Sequence, residues 1–128
     1  MRIIFFGTPA FAIPSLNALL QTGEKVIAVV TQPDKRKGRD HIFSPAPVKE
    51  LALDKGIKIL QPANLRDPLF LGELYSMKPE MIVVVAYGKI LHTKVLSLPL
   101  HGCVNIHASL LPKYRGAAPI QWAIIKGE

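Results

Sequence analysis

The stretch Met81-Ile82-Val83-Val84-Val85-Ala86 is apolar at every position. A strand with one face in water alternates apolar and polar residues, whereas a strand covered on both faces is apolar throughout. Residues 81–86 are therefore predicted to form a central strand of a parallel sheet that is covered by helices on both sides. The run Arg2-Ile3-Ile4-Phe5-Phe6, which stops at Gly7, is predicted to be a second buried strand.

Outward from these two strands, short apolar runs alternate with segments of helix length. Further strands are predicted at residues 25–30, 57–60 and 104–106. Helices are predicted at residues 9–20, 47–55, 65–77 and 117–125, the first with an irregular start because of Pro14. This alternation predicts the α/β class: a doubly wound, open parallel sheet with helices on both faces. Ligands of such sheets bind beyond the carboxyl ends of the strands.

Composition limits the class of protein. The 128 residues correspond to one domain, and a chain with 49% hydrophobic and 20% charged residues is globular. The net charge of +7 attracts polyanions, nucleic acid first, although plain solubility charge is the alternative. The single cysteine, Cys103, excludes an internal disulfide. The apolar runs are too short for a membrane span or a signal peptide, so we expect a cytoplasmic protein.

The segment 31–46 is unusually long for a connection between a strand and a helix. It has 16 residues, whereas such loops usually have about 2–6. Its basic residues include Arg36, Lys37 and Arg39, and a solvated charged loop is the alternative to an RNA contact. Because the segment has few large apolar residues, we expect it to be mobile without RNA.

Two polar residues end the strand predicted at 104–106. Alternation along the strand places Asn105 and His107 on one side. A carboxamide and an imidazole there could hold a developing oxyanion and move a proton, although a polar strand end in solvent is the alternative. In contrast, Gly7-Thr8-Pro9 lacks the glycines of a dinucleotide-binding loop and is predicted to be a tight turn.

These segments together resemble the folate-dependent formyltransferases, and the methionyl-tRNA formyltransferases in particular. The resemblance covers the whole chain in the expected order. It rests on Asn105-x-His107-x-Ser109-Leu110-Leu111-Pro112, Tyr114-Arg115-Gly116-Ala117-Ala118-Pro119-Ile120-Gln121, Phe6-Gly7-Thr8-Pro9-x-Phe11, Thr31-Gln32-Pro33-Asp34 through Gly38-Arg39, and Val83-Val84-Val85-Ala86-Tyr87-Gly88.

The resemblance implies a Rossmann-like formyltransferase fold, a reaction and a set of site residues. The family moves a formyl group from 10-formyltetrahydrofolate, without a metal, to the α-amine of methionyl-initiator tRNA. Asn105 and His107 would be catalytic, the first binding the oxyanion and the second stabilising it or moving the amine proton. The folate site would be lined by Ser109, Leu110, Leu111 and Pro112, and opposite them by Ala86, Tyr87, Gly88 and Ile90. The acceptor arm of the tRNA would contact Arg36, Lys37 and Arg39, with Arg39 the first choice. The family also leads us to expect a cis peptide bond between Leu111 and Pro112 and a monomeric full-length protein.

One departure from the family concerns a third catalytic residue, an aspartate beyond the Asn-x-His pair. After His107 the only acidic residue is Glu128. We therefore expect residues 1–128 to be the amino-terminal part of a formyltransferase domain, a fragment without the family's carboxyl-terminal barrel and with little activity of its own. Two alternatives stay open: a formyltransferase for an amino sugar or another small amine, and a non-catalytic module that binds tRNA or folate. The basic segment argues against the small acceptor, which needs no phosphate contacts.

Overall fold

The structure is a computed structural model, and it describes residues 1–37, 42–108 and 120–125. Side chains are described at residues 1–35 and 45–106 only. The described part contains eight strands and four helices. The strands are β1 (Arg2–Gly7), β2 (Lys25–Val30), β3 (Lys35–Lys37), β4 (Ile42–Ser44), β5 (Lys58–Leu60), β6 (Met81–Val85), β7 (Cys103–Ala108) and β8 (Ile120–Ile125). The helices are α1 (Ile13–Gln21), α2 (Pro47–Asp54), α3 (Pro68–Ser76) and α4 (Thr93–Leu96), and a 3₁₀ turn (Ala10–Ala12) precedes α1.

Six strands form one sheet in the order β5-β2-β1-β6-β7-β8. The first five are parallel to one another, which confirms the predicted open parallel sheet. From β1 the chain first builds outward through β2 to β5, and then crosses to β6 on the other side of β1. The strand order therefore reverses between β1 and β6, and the crevice at the carboxyl ends of these two strands is the expected ligand site.

The core lies on both faces of this sheet. On one face, Ile82 and Val84 of β6 pack in a cluster with Phe70 and Leu74 of α3. On the other face, Val83 and Val85 pack in a cluster with Leu16 of α1 and with Val48 and Ala52 of α2. The central strand is thus buried on both sides, as its unbroken apolar sequence predicts.

The helix predicted at residues 117–125 is wrong over residues 120–125, which form β8. This strand runs antiparallel to β7, with Asn105 opposite Ala123 and His107 opposite Gln121. The sequence Ile-Gln-Trp-Ala-Ile-Ile is rich in β-branched and aromatic residues, and β7 offers it a ladder of backbone hydrogen bonds. In a short apolar run the spacing of the hydrophobic residues fits a buried helix as well as a buried strand, so the sequence pattern alone does not distinguish them. Residues 117–119 lie outside the described part.

Several boundaries also differ from the predictions. The irregular start of the first helix is confirmed as the 3₁₀ turn, and Pro14 lies in the first turn of α1. Helix α3 begins at Pro68 rather than at residue 65, because the Asp67 carboxylate caps it by accepting a hydrogen bond from the Leu69 amide at 3.0 Å. Helix α4 was not predicted. The long segment 31–46 contains a separate two-stranded antiparallel sheet, β3 with β4, which we call the β3–β4 ribbon.

Candidate active site

The turn after β1, the end of β6 with the loop after it, and β7 surround a cavity of about 320 Å³ at the point where the strand order reverses. We call it the switch-point cavity. Its lining comes from the turn after β1, from the end of β6 and the loop after it, and from β7: Phe11, Val84, Ala86, Tyr87, Lys89, Asn105 and Ile106. Sites for small molecules usually measure about 300–1,000 Å³, so the cavity is at the lower end of that range.

Ala86 turns the chain out of β6 with an unusual backbone conformation. Its φ is +51°, in the left-handed region that residues other than glycine rarely adopt. Two residues later Gly88 has φ +101°, and a Cβ there would contact the Gln32 side chain at 3.6 Å. The loop after β6 therefore curls back toward the loop after β2 immediately beside the cavity.

A group of hydrogen bonds joins the three loops that follow β1, β2 and β6. Thr8 Oγ1 donates to the carbonyl of Tyr87 at 2.8 Å and accepts from the backbone N–H of Gln32 at 3.3 Å. The side-chain amide of Gln32 donates to the same Tyr87 carbonyl at 3.3 Å. Gln32 is buried, and a buried polar group is costly unless it is paired. These bonds thus fix the relative positions of the loops that carry the cavity.

Tyr87 contributes to the cavity chiefly through its backbone. Its side chain is only 1% exposed and packs edge-on against Phe6, with ring centroids 5.2 Å apart. Burial raises the pKa of the phenol to about 12, so it stays protonated at neutral pH. The ring is part of the core, and the phenol is not suited to acid–base chemistry.

Asn105 is the polar side chain that β7 places at the cavity. It is partly buried, and in register it lies opposite Val84 of β6. Its amide group can donate two hydrogen bonds and its oxygen can accept. His107 lies two residues further along β7, and its side chain is outside the described part.

The other predicted folate residues have different positions. Ala86 and Tyr87 line the switch-point cavity, whereas Gly88 and Ile90 are not part of its lining. Ile90 is 94% exposed and lies in a neighbouring groove with Arg66 and His92. Ser109, Leu110, Leu111 and Pro112 lie outside the described residues, and so does the predicted cis bond.

Sequence reasoning missed two residues of the cavity. Phe11 falls within the helix predicted at residues 9–20, yet it is 44% exposed and lines the cavity. Lys89 also lines it, and its Nζ donates to the carbonyl of Ala63 at 2.9 Å. The available signal for Phe11 was its place in the turn immediately after β1, since parallel strands carry their sites at that end.

The predicted RNA-binding residues fall in and beside the β3–β4 ribbon. Arg36 and Lys37 lie on β3, and their side chains are outside the described part, as is the whole of Arg39. A second cavity, of about 370 Å³, lies at the base of the ribbon. It is lined by the turn after β1, the loop after β2 and the start of α2: Thr8, Pro9, Ala10, Gln32, Pro33, Asp34, Lys35, Ala46 and Pro47.

The described residues contain neither a metal-binding cluster nor a membrane-spanning helix. Across residues 1–37, 42–108 and 120–125, no three His, Cys, Asp or Glu side chains come together as a metal site would require. Within the same ranges, no helix is both long enough and apolar enough to cross a membrane.

Comparison with known proteins gives a consistent result. Residues 1–128 match the formyl transferase family. The methionyl-tRNA formyltransferase of Caldanaerobacter subterraneus subsp. tengcongensis is 63% identical over 100% of this chain and 42% of its own length. That of Thermodesulfovibrio yellowstonii is 58% identical over 98% of this chain and 41% of its own length. The chain thus spans about two fifths of these relatives.

A solved structure shows the same fold. The phosphoribosylglycinamide formyltransferase of Anaplasma phagocytophilum superimposes with a TM-score of 0.65 at 16% identity, over 100% of this chain and 66% of that one. At this level of identity the likeness concerns the arrangement of strands and helices alone.

Proposed function

Because this chain belongs to the formyl transferase family, we propose that the protein transfers a formyl group from 10-formyltetrahydrofolate to the α-amine of methionyl-initiator tRNA. The observation that carries the proposal is the Asn105 amide beside the switch-point cavity. The two relatives described above are named for this activity and are 58% and 63% identical to the chain. Initiator tRNA and folate would place the protein in the cytoplasm.

Asn105 and His107 have distinct roles in the proposed reaction. In the reaction the amine would form a bond to the formyl carbon of the donor, and the oxygen on that carbon would gain negative charge. The bond between that carbon and the donor nitrogen would then break, and tetrahydrofolate would leave with a proton on that nitrogen. Asn105 Nδ2 donates a hydrogen bond to the formyl oxygen from a rigid parallel strand, so little reorganisation is needed as the charge develops. His107 stabilises the same charge or accepts the proton that the amine loses, since an imidazole titrates near neutral pH.

The switch-point cavity suits part of a folate. Its volume of about 320 Å³ accommodates a bicyclic ring rather than the whole molecule. Ala86 and the backbone of Tyr87 offer one wall of this site, and Gly88 and Ile90 lie further along the same loop. Ser109, Leu110, Leu111 and Pro112 are proposed to complete the site from the other side, on the segment after β7.

The β3–β4 ribbon is proposed to hold the acceptor arm of the tRNA. It begins beyond the carboxyl end of β2, on the same edge of the sheet as Asn105, because β2 and β7 run in the same direction. Arg36, Lys37 and Arg39 would neutralise backbone phosphates, which gives affinity that falls with salt and does not read sequence. A stem anchored there can orient the amine toward the cavity, since positioning alone lowers a barrier strongly.

The proposal is tested by formyl transfer with the full-length protein and three acceptors: initiator tRNA charged with methionine, a methionine ester and an amino sugar nucleotide. We expect transfer to the charged tRNA at a kcat/KM far above that for either small amine. Faster transfer to the amino sugar would instead assign a small acceptor. Binding of tRNA and folate without transfer to any acceptor would assign a binding module.

A further inference from the structure

One ion pair joins the two ends of the β3–β4 ribbon. Asp34 immediately precedes β3, and Lys49 lies in the first turn of α2, five residues after β4 ends. Lys49 Nζ donates to Asp34 Oδ2 at 2.8 Å, with side chains that are 20% and 27% exposed, respectively. The pair therefore bridges the point where the chain leaves the six-stranded sheet for the ribbon and the point where it returns.

The second oxygen of the same carboxylate is also engaged. Asp34 Oδ1 accepts a hydrogen bond at 2.8 Å from the side-chain amide of Gln61, which follows β5. That amide also lies 3.3 Å from the Gln32 carbonyl, to which it donates. The hydrogen bond from Lys49, and after it the one from Gln61, lowers the pKa of Asp34. The carboxylate is thus charged at neutral pH and bonded to two other segments.

The residues at the base of the β3–β4 ribbon determine the direction in which the ribbon leaves the six-stranded sheet. In the described part of the chain, β3 and β4 pair with each other and share no ladder with the six-stranded sheet. A second contact at the base, from the Val48 amide to the Thr8 carbonyl at 3.3 Å, fixes the start of α2 against the turn after β1. The direction in which the ribbon leaves the sheet is therefore set by the residues at its base, which we call the Asp34 clasp: Asp34, Lys49 and Gln61.

We propose that Asp34 is a positioning residue for acceptor recognition: through Lys49 and Gln61 it sets the direction of the ribbon and thereby the affinity for tRNA. This role rests on the proposed function, in which the ribbon holds the acceptor arm. In this role Asp34 touches neither the formyl donor nor the reacting amine. Loss of the clasp therefore weakens the capture of tRNA and leaves the chemical step intact.

The exposed pair Lys58–Glu73 provides a matched control. Its atoms are 3.5 Å apart, and the side chains are 54% and 48% exposed. Exposed pairs of this kind contribute little to stability or affinity. Glu73→Gln removes the same charge as Asp34→Asn, from a pair between β5 and α3 that is not part of the clasp.

The test measures KM for charged initiator tRNA, KM for the formyl donor, kcat and thermal unfolding in the full-length protein. We expect Asp34→Asn and Lys49→Met each to raise the KM for tRNA by about five- to tenfold, an effect between that of an exposed ion pair and that of a fully buried one. The kcat at saturating tRNA and the KM for the formyl donor should each change by less than about twofold. Glu73→Gln should leave all three parameters as in the wild type.

The outcomes separate this role from the proposed function. A wild-type protein that formylates no initiator tRNA overturns the function, and the role of Asp34 with it. An active wild type whose Asp34→Asn variant keeps its KM for tRNA overturns the positioning role alone. The role is also overturned by a variant that unfolds at a lower temperature and loses kcat and both KM values together, because that pattern belongs to general destabilisation. The double variant Asp34→Asn, Lys49→Met should be no worse than either single variant, since both remove one interaction.

Discussion

The switch-point cavity and the β3–β4 ribbon are held in different ways. The cavity is carried by buried parallel strands, and its loops are joined by the hydrogen bonds of Thr8 and Gln32 to the Tyr87 carbonyl. The ribbon is a sheet of its own, fixed at its base by the Asp34 clasp. A donor on the six-stranded sheet is held in place for a hydrogen bond to developing charge. The β3–β4 ribbon extends beyond that sheet and can reach the phosphates of a large acceptor. We therefore expect substitutions to separate the proposed chemistry from the proposed recognition.

The largest effect is expected at the cavity. Asn105→Ala in the full-length protein should lower kcat by about 10²–10³, because it removes one donor to the oxyanion. The Kd for charged tRNA should stay within about twofold of the wild type, since Asn105 is not part of the ribbon. Steady-state kinetics and a binding titration give the two numbers. A variant that loses tRNA binding instead would make Asn105 a structural residue.

At the ribbon, the triple variant Arg36→Ala, Lys37→Ala, Arg39→Ala should act on binding. Each lost phosphate contact reduces the slope of log K against log salt by up to about 1 unit. The slope is measured by titrating charged tRNA between low and physiological salt. Losses of kcat/KM should be much smaller with a methionine ester than with tRNA. Equal losses of kcat/KM with the ester and with tRNA would show that the ribbon does not bind RNA.

Gly7, between the two regions, should be sensitive to a single added methyl group. A Cβ at this position would lie 2.7 Å from Phe5 Cε1 and 2.9 Å from the Val85 carbonyl oxygen. Gly7→Ala should therefore lower the free energy of unfolding by about 1–3 kcal/mol, the usual cost of overpacking. The matched control is Gly72→Ala on α3, where, apart from the adjacent residues and the backbone of the helix itself, no atom lies within 4 Å of the added group. That change should raise stability by about 0.5–1 kcal/mol, and urea unfolding of both variants checks the contrast.

The smallest effect is expected at Ala86. Its φ of +51° costs an L-residue about 1–2 kcal/mol, which glycine avoids. Glycine also loses more entropy on folding, so Ala86→Gly should change the free energy of unfolding by less than about 1 kcal/mol. Ala18→Gly, at an exposed position in the middle of α1, should cost about 1 kcal/mol. Similar losses in both variants would contradict the strain assigned to Ala86.

Much of the frame was predictable because its determinants are local. Residues 81–86 are apolar throughout, and the strand they predict lies at the centre of the sheet. Asn105 lies on a strand, as predicted, and it lines the switch-point cavity, while its catalytic role stays a proposal. Gly56 ends α2 with φ +68°, as its place after the helical pattern predicts.

The rest depends on contacts between distant segments. Residues 120–125 form a strand because they pair with the edge of β7. The sequence of these six residues alone does not show that this edge is there. The burial of the Tyr87 ring follows from the backbone of Ala86, which turns the chain at the end of β6. Asp34, Lys49 and Gln61 are far apart in sequence, and only the crossover from β2 to β5 brings them together.

A single-turnover formylation assay at saturating charged initiator tRNA tests most directly whether the cavity performs the chemistry and the ribbon the recognition. The full-length wild type is compared with Asn105→Ala and with the triple ribbon variant, each bound to excess formyl donor. If the cavity performs the chemistry and the ribbon the recognition, the rate falls by about 10²–10³ for Asn105→Ala and stays close to the wild type for the ribbon variant once tRNA saturates it. A ribbon variant that stays as slow as Asn105→Ala at saturation, or an Asn105→Ala protein that reacts at the wild-type rate, would contradict this division of roles.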